Sequence, residues 1–186
     1  IEQTFSSKRE VRLQKDWIDI DEINNNMVRA VVASEDNLFL KHNGFDTEAI
    51  ERAIEYNKRG KKIRGASTIS QQTAKNVFLW SRRSWIRKGL ETYYTILIEF
   101  FWPKERIMEV YLNVIEFGDG IYGVEAASNH YFGKSAKNLT KRESALLASV
   151  LPSPLKRNPA RPTPYLNQRA NRVMYLMDKH GRIRFK

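Results

Sequence analysis

The chain has 186 residues, of which 41% are hydrophobic and 28% are charged, and its formal net charge is +11. This composition is typical of a globular protein and excludes a disordered chain. The sequence contains no cysteine, which excludes a disulfide framework, a thiolate metal site and a cysteine nucleophile. The positive charge favours an anionic partner: nucleic acid, a membrane surface or a phosphorylated substrate.

Apolar residues at helical spacing, with capping residues ahead of them, predict four helices in the first part of the chain. These helices are expected over about 26–40, 46–56, 68–79 and 85–101. Between the second and the third, segment 58–64 has five basic residues in seven and a glycine. Such a composition resists regular structure, so we expect a mobile basic loop over 58–66.

Further along the chain, Pro103 suits a first helical position, and Thr140 and Glu143 form a capping box. The stretch 117–123 predicts a glycine-rich turn, and the prolines of 152–164 predict an extended surface strap. Helices are expected over 103–114, 124–132, about 144–151 and about 164–180. Weak strand candidates lie at 10–20 and 182–185.

These elements predict a mostly α chain with a single domain over 1–186. No run of about 18 apolar residues occurs, so no bilayer-spanning helix is expected in this sequence. The nearest candidate, 93–102, is short and contains Glu99. The chain begins with Ile1 rather than methionine, and no signal peptide is visible.

An acidic pair stands out in the first predicted helix. Glu35 and Asp36 lie in its C-terminal half, where the helix dipole disfavours negative charge. Phe39 and His42 follow at i+4 and i+7 from Glu35 and therefore share its face. For His42 alone a structural hydrogen bond is favoured over catalysis, and the lack of further ligands at suitable spacing argues against zinc.

Polar groups cluster again in segment 64–76, which begins as a loop and continues as a helix. Ser67 or Thr68 can cap that helix. Two pairs of polar residues then recur four residues apart on neighbouring faces: Gln71 with Lys75, and Gln72 with Asn76. Taken alone, the segment favours an ordinary solvated surface helix.

The long helix predicted over 85–101 begins with charge and continues as an apolar face. Arg87 and Lys88 lie four and three residues before Glu91, as in a common surface ion pair. The aromatic and aliphatic residues of 93–101 should turn toward a core or a lipid surface. Segment 105–134 also places hydrogen-bonding groups among apolar residues around the glycine turn: Tyr111, Asn113, Glu116, Asn129 and Tyr131. Sugars are bound by such mixtures of amides, carboxylates and rings.

Five motifs in order resemble those of the peptidoglycan glycosyltransferases, glycosyltransferase family 51, and in particular its monofunctional members. The likeness covers about 28–180, with Ala66 standing where many relatives have a second glycine. Segment 153–156 reads SPLK but lacks the further motifs of a transpeptidase, so we interpret it as a chance match. The matching stretches are 35–44, 65–76, 87–91, 106–113 and 117–134.

The resemblance implies a mostly α, lysozyme-like glycosyltransferase domain with a small membrane-proximal lobe. It implies polymerisation of lipid II on the periplasmic face of the cytoplasmic (inner) membrane, with an N-terminal anchor helix missing from this sequence. The implied partners are lipid II, the growing glycan strand, an anionic membrane surface and other cell-wall synthesis and division proteins. Members of the family often respond to Mg²⁺ or Mn²⁺, although no complete metal cage is evident in the sequence.

By the same resemblance, Glu35 is the base that deprotonates the acceptor hydroxyl, and Glu91 orients cations or assists at the leaving phosphate. The cations expected at the departing diphosphate are Lys75, Arg83, Arg87 and Lys88. The helix that follows Thr68 is expected to offer its N-terminus to a phosphorylated sugar. The other substrate-binding candidates are Asp36, Phe39, His42, Arg52, Ser67, Thr68, Gln71, Gln72, Asn76, Tyr111, Asn113 and Asn129.

Two other functions stay open at the level of sequence. A lysozyme-like hydrolase or lytic transglycosylase would need an acid at the scissile bond and no diphosphate clamp, and the cations near Glu91 favour synthesis. A nucleic-acid-binding module would explain the charge, but the sequence has no recognisable zinc finger or aromatic RNA-binding signature.

Overall fold

A computed structural model of the protein describes residues 14–58, 60, 65–82 and 84–185. Eight α-helices make up most of this part of the chain. They are α1 (Asn25–Glu35), α2 (Thr47–Lys58), α3 (Ile69–Phe78), α4 (Trp85–Phe101), α5 (Lys104–Val114), α6 (Val124–Phe132), α7 (Lys141–Val150) and α8 (Pro164–His180). A three-stranded sheet contains β1 (Gln14–Lys15), β2 (Glu116–Gly118) and β3 (Ile121–Tyr122). The mostly α prediction is confirmed.

Side-chain caps fix where several helices begin. Thr68 and Thr140 each close a capping box, at the starts of α3 and α7. Ser84 accepts a hydrogen bond from the third residue of α4, as its position predicted. Pro103 precedes α5 as its N-cap and is not its first helical residue, one position from the prediction.

The first helix is shorter than the predicted 26–40. It ends at Glu35 because Asp36 leaves the helical conformation, with φ of −157°. The Asp36 carboxylate then accepts hydrogen bonds from the backbone N–H of Ile69 and from the ring of His42. These tertiary contacts turn the chain away from the helix axis immediately after Glu35.

The glycine-rich turn forms a small hairpin that the sequence did not predict. Strand β3 pairs antiparallel with β2 and parallel with β1, in the order β1-β3-β2. Gly123 ends the hairpin with φ of +83°, and a Cβ there would lie 2.9 Å from the carbonyl oxygen of Asn113. In the described part of the strand candidate 10–20, Gln14–Lys15 forms a strand, and residues 10–13 lie outside the described residues. Residues 182–185 form no strand.

The helices form two walls. The first wall consists of α1, α7 and α8, which pack on one another, and the second consists of α3 packed against α4 and α5. The apolar core includes Met27 and Val31 of α1, Ile107 of α5 and Leu147 of α7, all fully buried. The strap predicted over 152–164 contains one 3-10 turn, Pro154–Lys156. Within the described ranges, no helix has both the length and the apolar character needed to cross a bilayer.

Most of the basic loop predicted over 58–66, namely residues 59 and 61–64, lies outside the described residues, as does the candidate Arg83.

Candidate active site

An open cleft of about 1990 Å³ lies along the two walls. Its size exceeds that of a typical small-molecule pocket, 300–1,000 Å³, and suits an extended substrate. Eleven of the catalytic and substrate-binding candidates line it: Glu35, Asp36, Arg52, Ser67, Thr68, Gln72, Lys75, Asn76, Arg87, Lys88 and Glu91.

The carboxylate of Glu35 is held at both oxygens. Gln72 of α3 donates from Nε2 to Oε2 at 3.2 Å, so the bond joins the two walls. Ser34 donates from Oγ to Oε1 at 3.2 Å. A guanidinium nitrogen of Arg169, on α8, lies 3.9 Å from Oε1 and 3.1 Å from the Ser34 hydroxyl. The side chain is 13% exposed, so the carboxylate meets the cleft from a mostly buried position.

Burial raises the pKa of the Glu35 carboxyl above its ordinary value of 4.5. Desolvation is the largest cause, because it disfavours the charged form. The hydrogen bond from Gln72 and the positive charge of Arg169 act in the opposite direction and limit the rise in pKa. A carboxyl with a raised pKa is a stronger proton acceptor once ionised, as a general base requires.

A second charged cluster lies on α4. Glu91 is buried and accepts hydrogen bonds from Arg87, at 3.4 Å, and from Lys88. Arg87 is itself almost buried, and its Nε has no hydrogen-bond partner within the described residues. Buried donors in native structures usually have an acceptor, so this Nε is an exception among the described residues. The cluster is therefore more than the solvated surface ion pair that its spacing alone indicates.

Protein acceptors occupy three N–H groups at the N-terminus of α3, where we predicted a phosphorylated sugar. Its first N–H, that of Ile69, donates to the Asp36 carboxylate at 3.0 Å, and the N–H of Gln71 donates to the Thr68 hydroxyl at 3.2 Å. The Gln71 side chain in turn accepts from the Thr68 N–H. These three donors are therefore engaged within the protein, and the phosphate role of this helix end stays a prediction. Lys75, further along α3, lines the cleft.

Sequence comparison places these residues in a known family. Residues 2–178 match the sequence profile of the family described as Transglycosylase. The chain belongs to this transglycosylase family. A protein of Bdellovibrio bacteriovorus named biosynthetic peptidoglycan transglycosylase is 57% identical over 164 residues, which are 88% of this chain and 66% of that protein.

Proteins with the same name in Xanthomonas campestris and Shewanella oneidensis are similarly close. The first is 59% identical over 157 residues, 84% of this chain and 64% of the relative. The second is 52% identical over 177 residues, 95% of this chain and 75% of the relative. The chain therefore spans about two thirds to three quarters of the length of these relatives. The lysozyme-like glycosyltransferase fold that the motifs implied is the fold of the transglycosylase family.

Six candidates lie outside the lining of this transglycosylase cleft: Phe39, His42, Gln71, Tyr111, Asn113 and Asn129. Asn113 is fully buried and bonds through its amide to the N–H and C=O of Ile18, at 3.0 and 2.8 Å. His42 bonds to Asp36 and accepts from the N–H of Gly44, the structural role favoured for it alone. Asn129 is exposed and donates to Glu125.

Sequence reasoning missed two groups that touch Glu35. Ser34 precedes it directly, and Arg169 lies 134 positions later on α8. Only the packing of α8 on α1 brings Arg169 to the acid, and a lone arginine on an amphipathic helix carries no local signal of that contact. Trp17, under the guanidinium of Arg106 at 5.5 Å, also lines the cleft without having been singled out.

The resemblance described above implied a response to Mg²⁺ or Mn²⁺. Within 14–58, 60, 65–82 and 84–185, no three acidic or histidine side chains converge as they would around a metal ion. Hard divalent cations need several oxygen ligands. The described side chains therefore do not fit a resident metal centre.

Proposed function

We propose that this chain is an inverting glycosyltransferase that polymerises lipid II into β-1,4-linked peptidoglycan strands and releases undecaprenyl pyrophosphate. One observation carries the proposal: a buried carboxylate with a raised pKa, Glu35, and the cations of α3 and α4 line the same cleft. The names of the relatives, biosynthetic peptidoglycan transglycosylase, support the same reaction.

In the proposed step, the acceptor sugar presents its 4-hydroxyl to Glu35. The ionised carboxylate takes the hydroxyl proton while the oxygen forms a bond to the anomeric carbon of the donor strand. The bond between that carbon and the diphosphate breaks, and the diphosphate leaves with the electron pair. Attack opposite the leaving group converts an α-linked donor into a β-linked product in one displacement.

Cations near the leaving group stabilise the charge that develops there. Arg87 and Lys88 lie in the cleft on α4, and Lys75 lies on α3. Glu91 bonds to both α4 cations, so we assign it the positioning of Arg87 and Lys88 rather than a proton transfer. Arginine and lysine form strong, charge-assisted hydrogen bonds with phosphate oxygens, which suits Arg87 and Lys88 to this role.

Incubation of the chain with labelled lipid II in detergent tests the reaction. We expect polymer from the wild type and, for Glu35→Gln, a loss of at least roughly a hundredfold, because the shape is kept while the general base is removed. Glu105→Gln is the matched control, since Glu105 is exposed and lies outside the cleft lining. Polymerisation by Glu35→Gln at the level of the control would remove Glu35 from this role.

A hydrolase would need an acid at the scissile bond and no diphosphate clamp. The cations Arg87 and Lys88, which bond to Glu91 at the cleft, favour synthesis instead. Incubation with finished glycan in place of lipid II separates the two reactions. Fragments from finished glycan, with no polymer from lipid II, would favour the hydrolase.

We further propose that α4 and the end of α3 dock on an anionic membrane surface, with the cleft on its periplasmic side. Four apolar side chains of α4 are strongly exposed: Trp85 at 92%, Ile86 at 75%, Phe100 at 80% and Phe101 at 70%. At the cleft edge, Phe78 stacks on Tyr94 at 4.7 Å. A lipid-linked substrate could then keep its chain in the membrane while its diphosphate reaches Arg87.

Vesicle co-sedimentation tests this docking. Phe100→Ser combined with Phe101→Ser should weaken binding to vesicles that contain phosphatidylglycerol, because two exposed rings no longer insert. Leu155→Ser, which removes another exposed apolar side chain, is the control. Equal binding by both variants would argue against docking through this face.

A further inference from the structure

The amide of Gln72 links a fully buried tyrosine to the proposed base. Its Nε2 donates to Glu35 at 3.2 Å, and its Oε1 accepts from the hydroxyl of Tyr111 at 3.3 Å. These three residues lie on α1, α3 and α5, so the chain of bonds crosses from the second wall to the first. Nε2 of the amide therefore faces an acceptor, the Glu35 carboxylate, and Oε1 faces a donor, the Tyr111 hydroxyl.

The Glu35 carboxylate, which can only accept, fixes which way this amide points, and the Tyr111 hydroxyl holds its other end. With the amide reversed, Oε1 of Gln72 would face the carboxylate of Glu35, and two acceptors would oppose each other. A phenol that donates to Oε1 favours the orientation in which the N–H group reaches Glu35. Within the described residues, the Tyr111 hydroxyl has no other hydrogen-bond partner.

The ring of Tyr111 could be replaced by that of phenylalanine if packing were its only role. Tyr111 is 0% exposed and is among the largest fully buried side chains of the core. Burying a hydroxyl costs free energy unless it is hydrogen-bonded, so its presence here needs a partner. Burial and the nearby carboxylates of Glu35 and Asp36 raise the pKa of the phenol well above 10.0, and it therefore remains a donor at working pH.

We propose that Tyr111 is a positioning residue: its hydroxyl orients the Gln72 amide, which then stabilises the ionised form of Glu35 against the cost of burial. The proposal rests on the proposed function only in treating that ionised form as the active one. The sequence analysis predicted that Tyr111 binds substrate. Here it would act on the substrate indirectly, through its hydrogen bond to Gln72 and that of Gln72 to Glu35.

The test measures the titration of Glu35 directly, by NMR of ¹³C-labelled glutamate carboxyl groups, with the Glu35→Gln spectrum to assign the signal. Tyr111→Phe should move the Glu35 titration to higher pH, because the Gln72 amide, no longer held at Oε1, stabilises the anion less well. In the polymerisation assay, the same variant should lose roughly tenfold in kcat/KM on the acidic side and much less on the alkaline plateau.

Two further variants make the result specific. Tyr131→Phe removes another phenol hydroxyl, one that bonds to the carbonyl of Phe117, and should leave the Glu35 titration unchanged. In a Gln72→Met background, Tyr111→Phe should add no further shift, since the amide through which it acts is absent. Melting curves identify any variant that fails to fold.

An unchanged Glu35 titration in folded Tyr111→Phe overturns the inference, and so does an equal shift in Tyr131→Phe. The proposed function fails separately. If the titration shifts as expected but Glu35→Gln still polymerises lipid II, Tyr111 tunes a carboxylate that is not the base.

Discussion

Removal of the Asp36 carboxylate should destabilise the fold more than it affects substrate contact. The side chain is 1% exposed and accepts from His42 at 2.9 and 3.0 Å and from the Ile69 N–H at 3.0 Å. Asp36→Ala leaves these two donors buried without an acceptor. Each stranded donor costs about 1–3 kcal/mol, so we expect a loss of about 2–6 kcal/mol in the free energy of unfolding.

Asp36→Asn should cost less, because its amide oxygen can still accept from Ile69. Its N–H group would face the donor nitrogen of His42, whose other ring nitrogen already accepts from Gly44. Urea denaturation followed by circular dichroism at pH 7 measures both losses. Asp178→Ala is the control, since its carboxylate is 62% exposed and should contribute less than about 1 kcal/mol. A loss by Asp36→Ala no larger than that of the control would refute the structural role.

The remaining predictions concern pH, packing and the cation cluster. Because burial raises the pKa of Glu35, its ionised form destabilises the fold. Glu35→Gln should therefore become more stable than the wild type as pH rises above 4.5. Melting curves at several pH values measure this difference and should show no gain below pH 4.5. Gly118→Ala should lose about 1–3 kcal/mol, because its Cβ would overlap the Tyr131 hydroxyl, and Tyr131→Phe should restore part of that loss in the same denaturation assay. Glu91→Gln should lower kcat in polymerisation strongly and thermal stability only slightly, because it releases Arg87 and Lys88. An unchanged kcat would contradict the positioning role.

The family resemblance predicted much of the cleft. It assigned Glu35, Lys75, Arg87 and Glu91 to the site, and all four line it. The local pattern alone favours a solvated surface helix for the segment that contains Lys75 and a surface ion pair for Arg87 and Glu91. Caps such as Thr68 were equally predictable, because a cap depends only on residues within one turn.

Contacts between residues far apart in the sequence explain where the structure differs from the predictions. Asn113 was taken for a sugar-binding amide, but it bonds to the backbone of Ile18, 95 positions away, and a pattern does not distinguish these two uses. Helix α1 ends earlier than predicted because the Asp36 carboxylate bonds to the N–H of Ile69 at the start of α3. The same bond engages the first N–H of α3.

The bond between Gln72 and Glu35 runs between the two walls, as does the bond between Asp36, at the end of α1, and the N–H of Ile69. Glu35 lies on α1, whereas the cations Lys75, Arg87 and Lys88 lie on α3 and α4. An inhibitor that inserted a rigid apolar group between the Gln72 amide and the Glu35 carboxylate would separate the two. Resistance to such a compound would be expected at Gln72 or Glu35, where any substitution also disturbs the proposed base.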